Sequence, residues 1–244
     1  MTVKQALPYN RALHTDDYPA LRPWTDTVLA FEQRLRSEGI PFRKDHAHRT
    51  WEYANVLRQI DELFAGQRPL RILDVGAGGS SLAPMLATQG HEVVIVDSMA
   101  YGDIVEAFTW PQAQRLKLHP LNMLVVAEPA EAMPSIISDS QDVTCCISVI
   151  EHVAPGAYES ALRELVRVTR PGGYLFMTSD YFENMDQWEA SPYKSIQHTA
   201  FTAPLVEAIL SIIPVTFVGG VDLRWRGDFV HNYSFVNMVF RKPD

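Results

Sequence analysis

From Asp74 the chain reads Asp-Val-Gly-Ala-Gly-Gly-Ser, with Gly76 and Gly78 two residues apart. Glycines in such a run permit positive φ and let a ligand approach backbone with no Cβ in the way. Asp97 closes a second apolar run 21 residues after Gly76. A carboxylate at that place can accept hydrogen bonds from both hydroxyls of a ribose. Each feature has a plain structural reading as well, the first as a strand-to-helix turn and the second as a turn or cap aspartate. Taken together they point to a ligand with a nucleoside, bound at the carboxyl ends of parallel strands.

The type of nucleoside follows from what surrounds the glycines. A dinucleotide loop wants Gly or Ala at its last position and a helix N-terminus facing a pyrophosphate. Here Ser81 holds that position, and Asp74 stands just ahead of the first glycine. A carboxylate repels phosphate and suits an ammonium group, which favours S-adenosylmethionine over NAD or NADP. Three segments can line an acceptor site beside it. Glu151-His152 supplies a histidine in the pKa range of a general base, against the alternative of a buried histidine that fixes its loop. Ser179 to Thr202 is a long polar and aromatic stretch with Asp180, Tyr181, Phe182, Trp188, Tyr193, Lys194 and His198, a candidate specificity insertion. Asp222 to Asn232 carries Arg224, Trp225, Arg226 and His231. Two arginines around a tryptophan could hold a carboxylate or phosphate, or form a charged hairpin rim. The basic run from Arg43 to Arg49 reads as a solvated or lid segment, and His46 and His48 lack a third metal ligand.

The elements that must position these residues are legible from periodicity. Residues 1–25 are polar and interrupted by Pro8, Pro19 and Pro23, which reads as an arm or lid. Val28 to Arg36 and Trp51 to Phe64 have helical spacing of apolar residues. Leu70 to Val75 is a buried strand, followed by a helix over Ser81 to Thr88 that stops at Gly90. Glu92 to Asp97 is a second strand, Leu116 to Leu121 a weak third and Asp142 to Ile147 a fourth. An amphipathic helix covers Tyr158 to Thr169, and the Pro171-Gly172-Gly173 turn leads into a strand from Tyr174 to Thr178. Pro204 to Ile213 is the last helix, and Val215 to Val221 and Ser234 to Arg241 are two strands of an antiparallel hairpin. Alternation of strands and helices with short loops means an α/β fold on a mostly parallel sheet. We divide the chain into an N-terminal helical extension, 1–66, and a main domain, 67–244.

Composition bounds the classes. The 244 residues are 47% hydrophobic and 20% charged, enough apolar surface for a sizeable core. Lysine plus arginine is 21 and aspartate plus glutamate is 29, a net charge of −8. An acidic chain is a poor prior for nucleic acid, whose phosphates need a basic face. Cys145 and Cys146 are neighbours, and neighbours in a strand point to opposite faces, so no bridge between them is expected. No run approaches the roughly 18 apolar residues of a membrane span, and Met1 to Asn10 lacks a signal-peptide pattern. The expected setting is the cytoplasm.

With these motifs in order, the chain resembles the class I S-adenosylmethionine-dependent methyltransferase superfamily. The resemblance rests on Ile72-Leu73-Asp74-Val75-Gly76-Ala77-Gly78, Val96-Asp97, Ile150-Glu151-His152-Val153 and Arg170-Pro171-Gly172-Gly173. It covers residues 50–180 closely and 200–241 by pattern. It implies a Rossmann-like sheet of seven strands with the last antiparallel, plus the N-terminal cap. It implies that Gly76, Ala77 and Gly78 bring backbone against the methionine part of the cofactor, with Asp74 under its amino group and Asp97 on the ribose. Ser98 and Met99 then flank the adenine, and the loop after the third strand, here Asn122-Met123, meets its amino group where the family usually has an acidic residue. Ser148 stands where a backbone carbonyl often faces the cofactor amine, and Arg49-Thr50-Trp51-Glu52-Tyr53 resembles a segment that closes over the cofactor in many members, with Trp51 or Tyr53 as the contact or as plain packing. Some members bind a metal through a longer version of the Glu151-His152 motif; Ser148 replaces its earlier ligand, so no metal is expected. The implied activity is methylation of a small molecule at oxygen, with a sugar, lipid-linked or natural-product acceptor bearing an anionic group as the expected partner and His152 as the base. The rivals are a nicotinamide-dependent oxidoreductase, disfavoured by the lack of Tyr-x-x-x-Lys in the helix after the fourth strand, and a non-catalytic protein with a retained pocket.

Overall fold

The computed structural model describes residues 7–14, 16–42, 48–98, 123–192, 194, 199–226 and 233–244. A nine-stranded sheet organises them. In chain order the elements are β1 (Asn10–Ala12), α1 (Asp17–Ser37), α2 (Arg49–Phe64), β2 (Arg71–Val75), α3 (Leu82–Thr88), β3 (Glu92–Asp97), β4 (Met123–Ala127) and β5 (Gln141–Ile147). After a 3-10 turn at Ile150–His152 come α4 (Tyr158–Val168), β6 (Thr169–Tyr181), α5 (Met185–Glu189), α6 (Ala203–Ile212), β7 (Thr216–Phe217), β8 (Val221–Asp222) and β9 (Ser234–Arg241).

Strands β4, β3, β2, β5 and β6 run parallel in that spatial order, and β9 closes against β6 antiparallel. The parallel strands read as continuous apolar runs because both faces are covered. The alternation is strict: Leu73, Cys146 and Met177 face the layer of α4 and α6, while Ile72, Cys145 and Phe176 face α1, α2 and α3. Both cysteines are buried and unbridged. A third cluster at one end of the sheet packs Trp51 with Leu13, Leu21, Phe182, Tyr233 and Phe235.

Three expectations need correction. The strand beside β3 is Met123–Ala127, with Met123 opposite Val93 and Ala127 opposite Asp97; the expected Leu116 to Leu121 lies outside the described residues. The first helix begins at Asp17, not Val28, because the buried face extends through Leu21 and Thr25 and Pro19 sits in the first turn, where its missing N–H has no helical partner. The expected strand Val215 to Val221 is broken into β7 and β8. The reason is competition for one edge. β7 pairs with Phe240 and Arg241 of β9, but β1 takes the same edge at Val236 and Asn237. Asn10 makes the junction: its amide donates to the Val218 carbonyl at 2.8 Å, and its Oδ1 accepts the Val239 N–H at 2.7 Å. Gly219, at φ +69, turns the chain away there.

Candidate active site at the strand ends

The glycine loop follows β2. Gly76 has φ +69, its N–H donates to the Val96 carbonyl at 2.7 Å, and a Cβ on it would stand 2.5 Å from Val149 Cγ2. This close approach packs the glycine loop against the loop after β5. Gly78 has φ +51, and a Cβ there would meet nothing within 4 Å. Its backbone faces open space, and its N–H donates to Asp97 Oδ2 at 2.9 Å. Asp97 is therefore held by the loop that the sequence pairs it with. Ala77 is half-buried, and Ser98, next along, is exposed.

Asp74 lies beneath this loop in β2, 2% exposed, and its Oδ2 has no hydrogen-bond partner. A buried carboxylate oxygen without a donor is costly unless it is protonated or a ligand completes it. Burial is the largest cause of its raised pKa, Asp97 adds to it and Arg49 opposes, leaving Asp74 pushed up to about 7.

The amino end of α2 closes one side. Glu52 is fully buried, and its Oε1 accepts from Ser148 Oγ and Thr178 Oγ1, both at 2.5 Å. Arg49 Nη1 donates to Glu52 Oε2 at 3.1 Å and to the Ile147 carbonyl at 3.4 Å. Tyr53 hydrogen-bonds Ser80 of the glycine loop. The helix start is thus tied to the ends of β5 and β6 and to the loop. The sequence reading put Arg49 in a solvated or lid run and at the start of the closing segment but gave its side chain no role; the i, i+3 pairing with Glu52 was the signal for one.

Beyond Ser148, which takes φ +50, the 3-10 turn buries Glu151 and leaves His152 half-buried. Glu151 Oε1 accepts the Asp180 N–H at 3.3 Å, and its own carbonyl accepts the Thr199 N–H at 3.1 Å. Glu151 Oε2 has no partner. Burial raises the pKa of both Glu151 and Asp180, and each carboxylate meets Arg49 as an opposing charge.

Several expected residues stand elsewhere. Met123 opens β4, and about 3.3 Å per residue over four residues separates it from the carboxyl end where a ligand would lie. It cannot serve as an adenine contact; the residue that follows the strand, level with the end of β3, is Glu128. Asn122 and Met99 lie outside the described residues, as do Tyr193, His198, His231 and His46. Trp51 is fully buried in the aromatic cluster, and its indole N–H donates to Asp17 Oδ2 at 3.2 Å. His48 accepts or donates with Tyr18 at 3.1 Å and packs on Phe235. Arg224 and Arg226 both pair with Asp222, which they hold down at about 2. They form the rim of their own connection and are engaged by that carboxylate. Among the described residues, no group of three or more His, Cys, Asp or Glu could hold a metal, and no helix is long and apolar enough to cross a membrane.

Residues 73–177 match a family model described as a methyltransferase domain. Among curated relatives, the chain is 28% identical over 148 residues to the ubiquinone biosynthesis O-methyltransferase of Albidiferax ferrireducens, 55% of each chain. The enzyme of the same name from Rickettsia akari is 31% identical over 110 residues, 45% of this chain and 40% of that one. The chain spans about half the length of the curated relatives it matches. Among solved structures, Burkholderia thailandensis 1,6-didemethyltoxoflavin-N1-methyltransferase, with its substrate and S-adenosylhomocysteine bound, aligns at TM-score 0.59 and 21% identity over 100% of this chain and 94% of that one. The cyclase SpnF aligns at 0.61 and 15%, over 93% of this chain and 94% of the other. The chain therefore shares the fold of these structures, with β1 added at the antiparallel edge of its sheet.

Proposed function

We propose that the protein transfers the methyl group of S-adenosylmethionine to a small-molecule acceptor, with oxygen favoured as the acceptor atom. The observation that carries this reading is Asp74 with its buried, unpartnered Oδ2, set beneath a glycine loop whose Gly78 faces open space and hydrogen-bonds Asp97. A pocket with one deep carboxylate and a second at the next strand end fits an amino-acid nucleoside without phosphate. The O-methyltransferase relatives support oxygen, and the bound S-adenosylhomocysteine of the didemethyltoxoflavin enzyme supports the cofactor.

The cofactor would supply an activated methyl carbon. The chain's residues bind and orient around it. Asp74 receives the amino group, with the backbone of Gly76, Ala77, Gly78 and Ser148 around the methionine part. Arg49 offers the opposite charge to the carboxylate. Asp97 takes the ribose hydroxyls, Ser98 and Met99 flank the adenine, and Glu128 takes its amino group. His152 removes the acceptor's proton. Alignment of two reacting atoms in a closed site supplies much of such a rate, and the 1–66 extension serves to cover it. No nucleic acid is needed as a partner, and the two buried thiols suit a reducing cytoplasm.

Calorimetric titration with S-adenosylhomocysteine, NAD and NADP tests the cofactor. Binding of S-adenosylhomocysteine alone is expected; binding of NAD or NADP alone would sink the reading. His152→Ala should leave that binding near normal and lower turnover; a variant that unfolds instead would make His152 a structural residue. A second reading has one observation in its favour: the fold of this chain is also that of the cyclase SpnF. Cofactor binding without any release of S-adenosylhomocysteine across an acceptor panel would favour it.

A further inference from the structure

Ser148 follows β5 with φ +50, a conformation that is costly without glycine and persists only where the surroundings over-determine it. Those surroundings are one hydrogen-bonded set. The Ser148 N–H donates to the Thr178 carbonyl and to Thr178 Oγ1, both at 3.1 Å. The Ser148 hydroxyl donates to Glu52 Oε1 at 2.5 Å. Thr178 Oγ1 accepts that N–H and turns its own hydrogen to the same Glu52 oxygen, also at 2.5 Å. Both O–H···O separations are those of bonds to a charged acceptor. Glu52 is 0% exposed, and its other oxygen accepts Arg49 Nη1 at 3.1 Å. The side-chain bonds that fix Ser148 therefore end on a helix of the N-terminal extension, 96 residues earlier in the chain.

Strand register puts Ser148 at the site. Val75 of β2 pairs with Cys146 of β5, so two residues further on Ser148 stands level with Ala77 in the glycine loop. The packing agrees, since Val149, the next residue, occupies the space that a Cβ on Gly76 would need. Asp74, with its unpartnered Oδ2, pairs with Cys145 in the same register, which sets Ser148 past that carboxylate at the carboxyl end of the strands. The first turns of α2 make two more links there. Arg49 donates to the Ile147 carbonyl, on the peptide that leads into Ser148, and Tyr53 hydrogen-bonds Ser80 of the glycine loop.

We propose that Glu52 is a positioning residue of the cofactor site: it holds Ser148 in the left-handed conformation beside the glycine loop, so that the backbone there is ready for the cofactor only while α2 is seated. This deepens the cofactor reading above and rests on it. A serine released from Glu52 relaxes toward the ordinary backbone regions. The peptides on either side of it turn as well, and they carry the contact of Val149 with Gly76. A site that is competent for only part of the time binds more weakly by that fraction.

Calorimetric titration of the full chain with S-adenosylhomocysteine tests this through a cycle of substitutions. Glu52→Met removes both acceptor oxygens at similar volume and should weaken binding about tenfold. Glu52→Gln gives up the Arg49 pair but keeps an oxygen for the two hydroxyls, and should recover most of that loss. Ser148→Gly alone loses the hydroxyl and should cost about threefold. Glycine holds a positive φ unaided, so adding Glu52→Met to Ser148→Gly should cost only about twofold more. A residue that merely seats α2 would give the same loss in both backgrounds. That result, or unchanged affinity in Glu52→Met, would overturn the proposal and leave the cofactor reading standing. Should Glu52→Met not fold, Thr178→Val removes only the hydroxyl between Ser148 and Glu52 and serves in the same cycle. A loss of about threefold is expected from it alone and none in the Ser148→Gly background; equal losses would overturn the proposal. Absence of binding to the unmodified chain would overturn the cofactor reading and the proposal with it.

Discussion

Asp74 is the residue whose behaviour most directly reports the site. Its folded pKa is raised to about 7 against 3.8 in an unfolded chain, mainly by burial. A raised carboxylate pKa favours the folded state most below about pH 4, and this contribution is lost as pH rises toward 7. Binding has the opposite sign, since an ammonium ligand needs the ionised form. S-adenosylhomocysteine affinity should therefore climb between pH 5.5 and 8, and binding near pH 6 should release a proton, read from calorimetry in buffers of different ionisation enthalpy. Asp74→Asn should weaken binding and flatten the profile; a profile that persists in this variant would assign the titration to another group. Asp97 acts through hydrogen bonds from the loop and, in our reading, the ribose. Asp97→Ala should weaken binding by about 1–3 kcal/mol, and unchanged affinity would remove Asp97 from the site.

At the scale of elements, the two glycines of one loop should respond differently. Gly76→Ala forces a Cβ to 2.5 Å from Val149 at φ +69. It should lower stability by about 2–4 kcal/mol, the sum of backbone strain and overpacking. Gly78→Ala meets no protein atom and has only its φ of +51 to accommodate, about 1–2 kcal/mol. It should nevertheless lose cofactor affinity, because the Cβ enters the space we assign to the ligand. Thermal melts with and without S-adenosylhomocysteine separate the two effects. A Gly78→Ala protein that binds normally would show that the open space is not where the ligand lies. The start of α2 offers a matching test of position: Glu52 accepts two hydroxyls at 2.5 Å across β5 and β6, and Glu52→Gln should keep the helix seated better than Glu52→Ala.

For the whole molecule, the N-terminal strand is the feature that ties distant parts together. Arg11 of β1 pairs with Asp17 of α1 at 2.5 Å with side chains 7% and 1% exposed, and Asp17 also holds the Trp51 indole. Burial alone would disfavour both charges, lowering the pKa of Arg11 and raising that of Asp17. Removing one partner strands the other, so Arg11→Met should cost about 3–5 kcal/mol. Arg11→Met combined with Asp17→Asn should cost less than Arg11→Met alone. Denaturant melts of the two variants decide it; a larger loss in the double variant would show that Asp17 is held by its neutral hydrogen bonds and not by the ion pair.

Sequence alone determined β2, β3, β5 and β6 and the candidate site residues at the ends of β2 and β3, because buried strands announce themselves as apolar runs and glycines with a following aspartate mark a local backbone need. It determined Asp74, Gly76, Gly78 and Asp97 as one group for that reason. Where the signal was long-range it was silent. Nothing local shows that Asn10 would splice β1 into the sheet and split the expected Val215 to Val221 strand. The third parallel strand was placed six or seven residues early, which put Asn122-Met123 where Glu128 follows the strand. Only tertiary structure decided that Arg224 and Arg226 belong to Asp222, that Trp51 belongs to the aromatic cluster, and that Arg49, Glu52, Glu151 and Asp180 converge. Their spacings in sequence are unrelated, and it is the parallel register of β5 and β6 under the end of α2 that brings their charges within reach of one another.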